Sequence, residues 1–334
     1  MDEEKQLLEF EELLTTDLYE LNEFTFVSGE KLNNLTLEYS TIGTPIQNEN
    51  NEIINGILYC HGWGGDSKSI RRLHEIIGEN KLFDTNKFFF ISISTLGSPK
   101  SSSPSNSRLK NRFPKYTILD MVNFQKNFLS EKFNINHLKG LIGNSMGGFE
   151  VLSWGCEYPF DMDFLVSIVS SYQVAGHNYS LFKIMNDIIM ADSEYNNGDY
   201  NKPLKNLPVA YESMGPFGLS WEFYRNHQTN EELNQSLNEM QEEAKNLDGN
   251  DIIYRNNACL NYDIEDKLNK IIAKTLIVAI NQDCYFPPDL DAIPMSKLIK
   301  NSKLVIYDSL LGHVGSHEII KIEHDLKDFL NLLL

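Results

Sequence analysis

Five residues constrain this chain more than any others. Gly143-Asn144-Ser145-Met146-Gly147 stands between an apolar run, His137–Gly143, and a helix-spaced stretch that begins at Ser145 and is closed by Pro159. A strand that turns this sharply into a helix needs glycines on both sides of the serine, because the flanking backbones approach closely. The same geometry lifts the serine hydroxyl off the end of the strand, at the positive end of the helix that follows. The bland alternative is a glycine-rich turn with a passive serine; the apolar strand before it and the helix after it argue against that.

The unit repeats. Gly56–Cys60, Lys87–Ser94, Asp163–Ser170, Ala273–Ile280 and Lys303–Asp308 are short apolar runs that read as buried strands. Helix spacing is read between them at Ser69–Asn80, Tyr116–Phe133 and Pro294–Lys300, with a last helix at Ser316–Leu333. Strands alternating with helices predict an α/β fold, a mostly parallel central sheet with helices on both faces. Ahead of this, residues 1–20 read as a short amphipathic helix or a loose arm. Phe24–Val27 and Leu35–Tyr39 read as a hairpin turning at Ser28-Gly29-Glu30. The rhythm breaks over residues 172–262, which are helix-like and punctuated by Gly198, Pro203, Pro208 and Gly215-Pro216. The expected organisation is therefore a core in two parts, 1–171 and 263–334, with a helical lid, 172–262, inserted between them. The Ser-rich stretch Ser98–Ser107 reads as a loop, not a linker.

Composition narrows the function. Of 334 residues, 29 are Lys or Arg and 47 are Asp or Glu, giving a net charge of −18. Such a surface repels phosphate backbones and anionic membranes, so neither nucleic acid nor membrane is an expected partner. No apolar run is long enough to span a bilayer, and the acidic start lacks the basic region of a secretory signal. The four cysteines form no C-x-x-C pair, which fits reduced thiols in a cytoplasmic protein.

Two further strand ends carry chemistry. Cys60-His61-Gly62-Trp63-Gly64-Gly65 follows the strand Gly56–Cys60. Acyl transfer needs two N–H donors at the developing oxyanion, and Met146, after the serine, and Trp63, in this loop, are the candidates. His61 reads as an orienter of the loop rather than a base; with Gly62 it is a candidate lining residue of the substrate pocket. Asp283 lies just past one late strand and His313 just past the next, in the order Ser145…Asp283…His313. In that order a neutral imidazole takes the serine proton and a buried carboxylate fixes its tautomer. Asp289 and Asp308 compete locally with Asp283, and His317 with His313. His313, His317 and Glu318 have the spacing of a metal pair on a helix, but Gly312 and Gly315 oppose a helix there and no third ligand is evident, so no metal is expected. Cys284 reads as a packing residue.

These residues resemble the α/β-hydrolase superfamily and, more narrowly, its homoserine O-acetyltransferase branch. The resemblance runs from about Phe24 to His317. It is carried by LEYSTIG (Leu37–Gly43), FPKYTILDMV (Phe113–Val122), GNSMGGFEVLSWGCEYP, IMADSEYNNGDY (Ile189–Tyr200), RNNACLNYD, NQDCYFPP and GHVGSHE. It implies the α/β-hydrolase fold with Ser145 as nucleophile, Asp283 as acid and His313 as base. It implies no cofactor, with acetyl-CoA as co-substrate if the enzyme is a transferase, and it makes a homodimer, with the lid as one contact surface, an expectation. The chain also departs from the branch. The lid arginine of an A-R dipeptide, expected to hold the homoserine carboxylate, is replaced in Ala210-Tyr211-Glu212. The arginine after T-I is Leu119, and G-H-D becomes Gly312-His313-Val314. Arg225 and Arg112 are the candidates to substitute, and Tyr211 is a candidate pocket residue.

The expected function is a serine-nucleophile acyl-transfer enzyme acting on a small ester, thioester or acyl-CoA, with hydrolysis ranked first because the arginines are missing. Acetyl-CoA-dependent homoserine acetylation is the runner-up. A non-catalytic binding protein that keeps the fold is the third reading.

Overall fold

In the computed structural model, which describes residues 2–331, eight strands form one sheet. They are β1 (Thr15–Thr25), β2 (Lys31–Gly43), β3 (Gly56–Cys60), β4 (Phe89–Ile93), β5 (Leu138–Asn144), β6 (Met162–Ile168), β7 (Lys274–Ile280) and β8 (Ser302–Tyr307). Their spatial order is β1-β2-β4-β3-β5-β6-β7-β8. The β1–β2 hairpin is antiparallel and β2 runs antiparallel to β4; every other pairing is parallel. All five residues of β3 and all five of β4 are buried, as expected of central strands covered on both faces.

The helices α2 (Ile118–Phe133), α3 (Met146–Glu157) and α10 (Ala292–Leu298) cover one face, through Met121, Phe128, Phe149, Trp154 and Met295. The other face is covered by α1 (Asp2–Glu12), a 3-10 turn at Ser67–Leu73 and α11 (Glu323–Asn331), through Phe10, Ile70, Leu73, Leu326 and Phe329. Thr117 and Asp120 cap α2 reciprocally, and the spare oxygen of Asp120 accepts the Val27 N–H at 2.6 Å, which ties the hairpin to the helix layer. Between β6 and β7 the chain forms α4 (Gly176–Met190), α5 (Leu207–Glu212), α6 (Gly215–Gly218), α7 (Trp221–Asn226), α8 (Asn230–Ala244) and α9 (Gly249–Leu260).

Three sequence expectations are corrected. Strand β1 starts at Thr15, so the last six residues of the stretch read as helix or arm are sheet. Ser69–Asn80 is not an α-helix: Asp66 and Ser69 cap a 3-10 turn that ends at Leu73, and the chain then enters a two-residue strand at Ile77–Gly78, paired with Phe83–Asp84. The last segment is two 3-10 turns, Gly312–His317 and Ile319–Ile322, before α11. The Ser-rich loop is buried at Ser98 and over 101–104. Ser101 and Ser102 accept the Glu38 and Thr36 N–H groups through their hydroxyls, at 3.1 and 2.9 Å. Among the described residues no helix is long and apolar enough to cross a membrane.

Candidate active site

Ser145 sits between β5 and α3 with φ 55° and ψ −125°, a conformation that side-chain-bearing residues rarely adopt. Its N–H donates to Ile168 O at 2.9 Å, fixing the turn against β6. The glycines are needed for space. A Cβ on Gly147 would lie 2.1 Å from Cys60 O, and one on Gly143 2.3 Å from Gly147 O. This close approach lets α3 pack directly on the end of β3.

His313 and Asp283 converge on the serine from the neighbouring strand ends. His313 Nε2 is 3.0 Å from Ser145 Oγ, and His313 Nδ1 is 2.8 Å from Asp283 Oδ2. The other carboxylate oxygen of Asp283 accepts the Tyr285 and Phe286 N–H groups at 2.8 and 3.0 Å, and those two rings flank the imidazole at 4.8 and 5.6 Å. The carboxylate is fully enclosed and has three donors, so it holds Nδ1 as the protonated nitrogen and leaves Nε2 to accept. Gly312 has φ 55°, and a Cβ there would lie 2.7 Å from Ser220 N, so the histidine turn needs that glycine. Two of the rivals are engaged elsewhere. Asp308 accepts from Asn281 and Gln282, and His317 Nδ1 meets Val314 O.

The loop after β3 faces Ser145. Among the described residues neither the Trp63 nor the Met146 backbone N–H donates to a protein acceptor. His61 is held beneath the loop, 1% exposed, and does not line the cavity. Its Nε2 accepts the Thr95 N–H at 3.1 Å, and its Nδ1 donates to Gly62 O at 2.7 Å. Burial lowers its pKa to about 4, so the ring is a neutral strut. The expectation that His61 is pocket lining is corrected; the expectation that it orients the loop fits these bonds.

Two residues that the sequence did not single out hold the loop from α9. Arg255 on α9 donates to Trp63 O and Gly97 O, each at 2.9 Å, with its guanidinium 5.0 Å from the Trp63 ring. Asn256 accepts the Trp63 indole N–H at 2.9 Å and donates to Asn186 on α4. The only signal was their place in RNNACLNYD.

A cavity of about 1330 Å³ opens on Ser145 and His313. Its floor includes Gly62, Trp63, Met146 and Phe286, and its roof includes Tyr211, Trp221, Leu237 and Met240. Tyr211 OH donates to Glu243 at 3.2 Å, and both residues line the cavity; Glu212 instead bonds Gln241 outside it. Arg71, Arg72 and Arg225 also line the cavity, whereas Arg112 does not. Arg71 pairs with Glu11, while among the described residues Arg72 and Arg225 have no carboxylate partner. Among the described residues no group of three or more His, Cys, Asp or Glu is placed to hold a metal ion, and all four cysteines are free thiols.

The fold and the Ser–His–Asp cluster at its strand ends define a class, and comparison with known families agrees: the chain belongs to the α/β hydrolase fold family, which matches residues 55–314. It is an enzyme of that family. It is 44% identical over 319 residues to a probable acyltransferase of Methanothermobacter thermautotrophicus, covering 96% of this chain and 98% of that one. It is 29% identical to the homoserine O-acetyltransferase of Leptospira meyeri, covering 92% and 91%. Among solved structures, esterase E22 superposes with TM-score 0.84 at 24% identity over 95% of this chain and 100% of that one. The homoserine O-acetyltransferase of Bacillus anthracis gives TM-score 0.84 at 22% identity over 96% and 98%. At these identities the two structures speak for the fold alone, and they do not separate hydrolysis from transfer.

Proposed function

We propose that this protein transfers acyl groups through Ser145, with His313 as base and acid, Asp283 as its orienter, and hydrolysis of a small ester or thioester as its principal reaction. The observation that carries the reading is the unbroken chain from Ser145 Oγ through His313 to Asp283, at 3.0 and 2.8 Å. Ser145 Oγ attacks the acyl carbon while its proton passes to His313 Nε2. The carbonyl oxygen becomes an anion facing the free N–H groups of Trp63 and Met146. Collapse expels the alcohol or thiol, which takes the proton from His313, and leaves the acyl group as an ester on Ser145. Water then attacks that ester with His313 again as base, releasing the acid and restoring the serine. Hydrolysis is favoured because the lid offers Tyr211 and Glu243 at the place where the acetyltransferase resemblance expects an arginine.

Acetyl transfer from acetyl-CoA to a hydroxy amino acid is the second reading. It is favoured by Arg72 and Arg225, cations in the cavity that lack carboxylate partners among the described residues, and by the relatives' names. A transferase must hold the acceptor hydroxyl and keep water out, which requires polar contacts of this kind in the lid. Turnover of acetyl-CoA with and without homoserine, beside hydrolysis of p-nitrophenyl acetate, decides between them. Ester hydrolysis with no homoserine-dependent release of CoA is expected. Release of CoA that saturates with homoserine would promote the transferase.

A further inference from the structure

Glu150 is a buried acid that the mechanism above does not use. Glu150 lies on α3, one turn beyond Gly147, and is 0% exposed. Its Oε2 accepts from the Gln125 side-chain amide and from Thr95 Oγ1, the latter at 3.5 Å, while its Oε1 has no hydrogen-bond partner. Among the described residues no lysine or arginine pairs with it. Its neighbours continue in both directions. Gln125 Oε1 accepts the Trp154 indole N–H at 2.9 Å and faces the Cys60 thiol at 3.9 Å. Thr95 donates its N–H to His61, which in turn holds Gly62 O. Glu150 therefore stands between the helix that starts at Ser145 and the two segments, Cys60–Gly62 and Thr95, that hold up the Trp63 loop.

An ionised carboxylate with one unpartnered oxygen and no countercharge in a dry core is costly, whereas the neutral acid is a good hydrogen-bonding spacer. We propose that Glu150, as the neutral acid, is a positioning residue that sets the Trp63 N–H against Ser145 by bracing the oxyanion loop on the nucleophile helix. This rests on the acyl-transfer reading of Ser145. Burial raises the Glu150 pKa to about 8, and the hydrogen bonds from Gln125, Thr95 and Cys60 offset only part of that rise. The titratable groups facing it from the adjoining elements are Cys60 at the end of β3 and Cys259 on α9. Burial holds both thiols up, Cys259 to about 12, so neither carries charge when Glu150 ionises. Loss of the Glu150 proton places a lone negative charge beneath the loop, so both loop position and turnover should decline as pH rises through that range.

The test compares wild type with Glu150→Gln and Glu150→Leu in p-nitrophenyl acetate hydrolysis across neutral and alkaline pH, with fluorophosphonate labelling of Ser145 as a control. The Gln side chain is neutral at every pH and keeps the bracing volume. It is expected to hold kcat within about threefold of wild type at neutral pH and to abolish the alkaline decline. The Leu side chain removes the polar brace and is expected to lower kcat by about tenfold or more with KM nearly unchanged. An alkaline decline that persists in Glu150→Gln, or a wild-type kcat in Glu150→Leu, would overturn the proposal. If the Leu variant does not fold, the Gln profile alone decides. A wild type that hydrolyses nothing and is not labelled at Ser145 would instead sink the acyl-transfer reading, so the two failures are distinct.

Discussion

The Trp63 indole and the Asn256 side chain are joined by a 2.9 Å hydrogen bond between residues 193 positions apart. One end is in the loop whose Trp63 N–H is proposed above as an oxyanion donor. The other is on α9, the last α-helix before the chain re-enters the sheet. The loop is therefore braced from below by His61 and from above by α9.

Removing the upper brace should cost turnover before it costs fold. Asn256→Ala leaves a buried indole N–H unpaired, a loss of about 1–3 kcal/mol. It is expected to lower kcat on neutral esters by about tenfold while KM changes little, because in the proposed mechanism the backbone N–H of Trp63 acts on the transition state. Arg255→Met, which also frees Trp63 O and Gly97 O, should be at least as severe. A steady-state comparison in which only KM moves would show that these residues serve binding, not loop position.

Ser145 pays in backbone strain for its place at the sharp turn, φ 55° and ψ −125°, and glycine does not. Ser145→Gly is therefore expected to abolish fluorophosphonate labelling and turnover while raising stability by about 1 kcal/mol, read as a small rise in Tm. Residual labelling at another serine would contradict the assignment.

His61 gives stability a defined pH dependence. Its folded pKa lies near 4, below the ordinary value of 6.5, so the unfolded chain takes a proton that the folded chain refuses. The associated stability is complete above about pH 6.5 and is lost as pH falls toward 4, about 3 kcal/mol in all. His61→Gln does not titrate in that window. Urea midpoints measured from pH 4 to 7 should show a steeper acid loss for wild type than for the variant, and parallel losses would count against a buried neutral imidazole.

Substrate charge is the next test. Homoserine brings a carboxylate, which in a partly dry pocket requires a cation, and arginine suits it best. Weak or absent acetylation of homoserine is expected of the wild type. Tyr211→Arg alone should help little, since Glu243 accepts a hydrogen bond from the residue at 211 and would capture the new guanidinium. Tyr211→Arg combined with Glu243→Gln should raise homoserine-dependent CoA release by about tenfold over Tyr211→Arg. Equal rates in the two variants would remove Glu243 from the pocket argument.

Much of this site was legible in the sequence because each participant hangs from a strand end with its own local signal. Ser145 has its paired glycines, and His313 has Gly312, which only that tight turn explains. The N-terminal strand was not legible for a physical reason. β1 is an edge strand with nine of eleven residues at least partly exposed, so it lacks the alternation that burial imposes. Around Ile70, Leu73, Ile76 and Ile77 the apolar spacing is real, but all four side chains serve one face of the sheet from a 3-10 turn and a short strand. Arg255 and Asn256 were missed because a buried polar residue is explained by its partners, and theirs lie near Trp63 and Gly97. Tyr211 lines the cavity, and the carboxylate beside it there is Glu243, brought by the pairing of α5 with α8; adjacency in sequence shows only Glu212, which bonds Gln241.

The strand that delivers His313 is the outermost one, bonded to the sheet along a single side through β7. Segments at a margin open by partial unfolding at lower free energy than the interior, and they exchange their amide protons sooner. Ser145, by contrast, follows a strand paired on both sides. Warming or mild denaturant should therefore detach the base while the nucleophile's surroundings are still intact, so that inactivation runs ahead of global melting and is reversible over that interval.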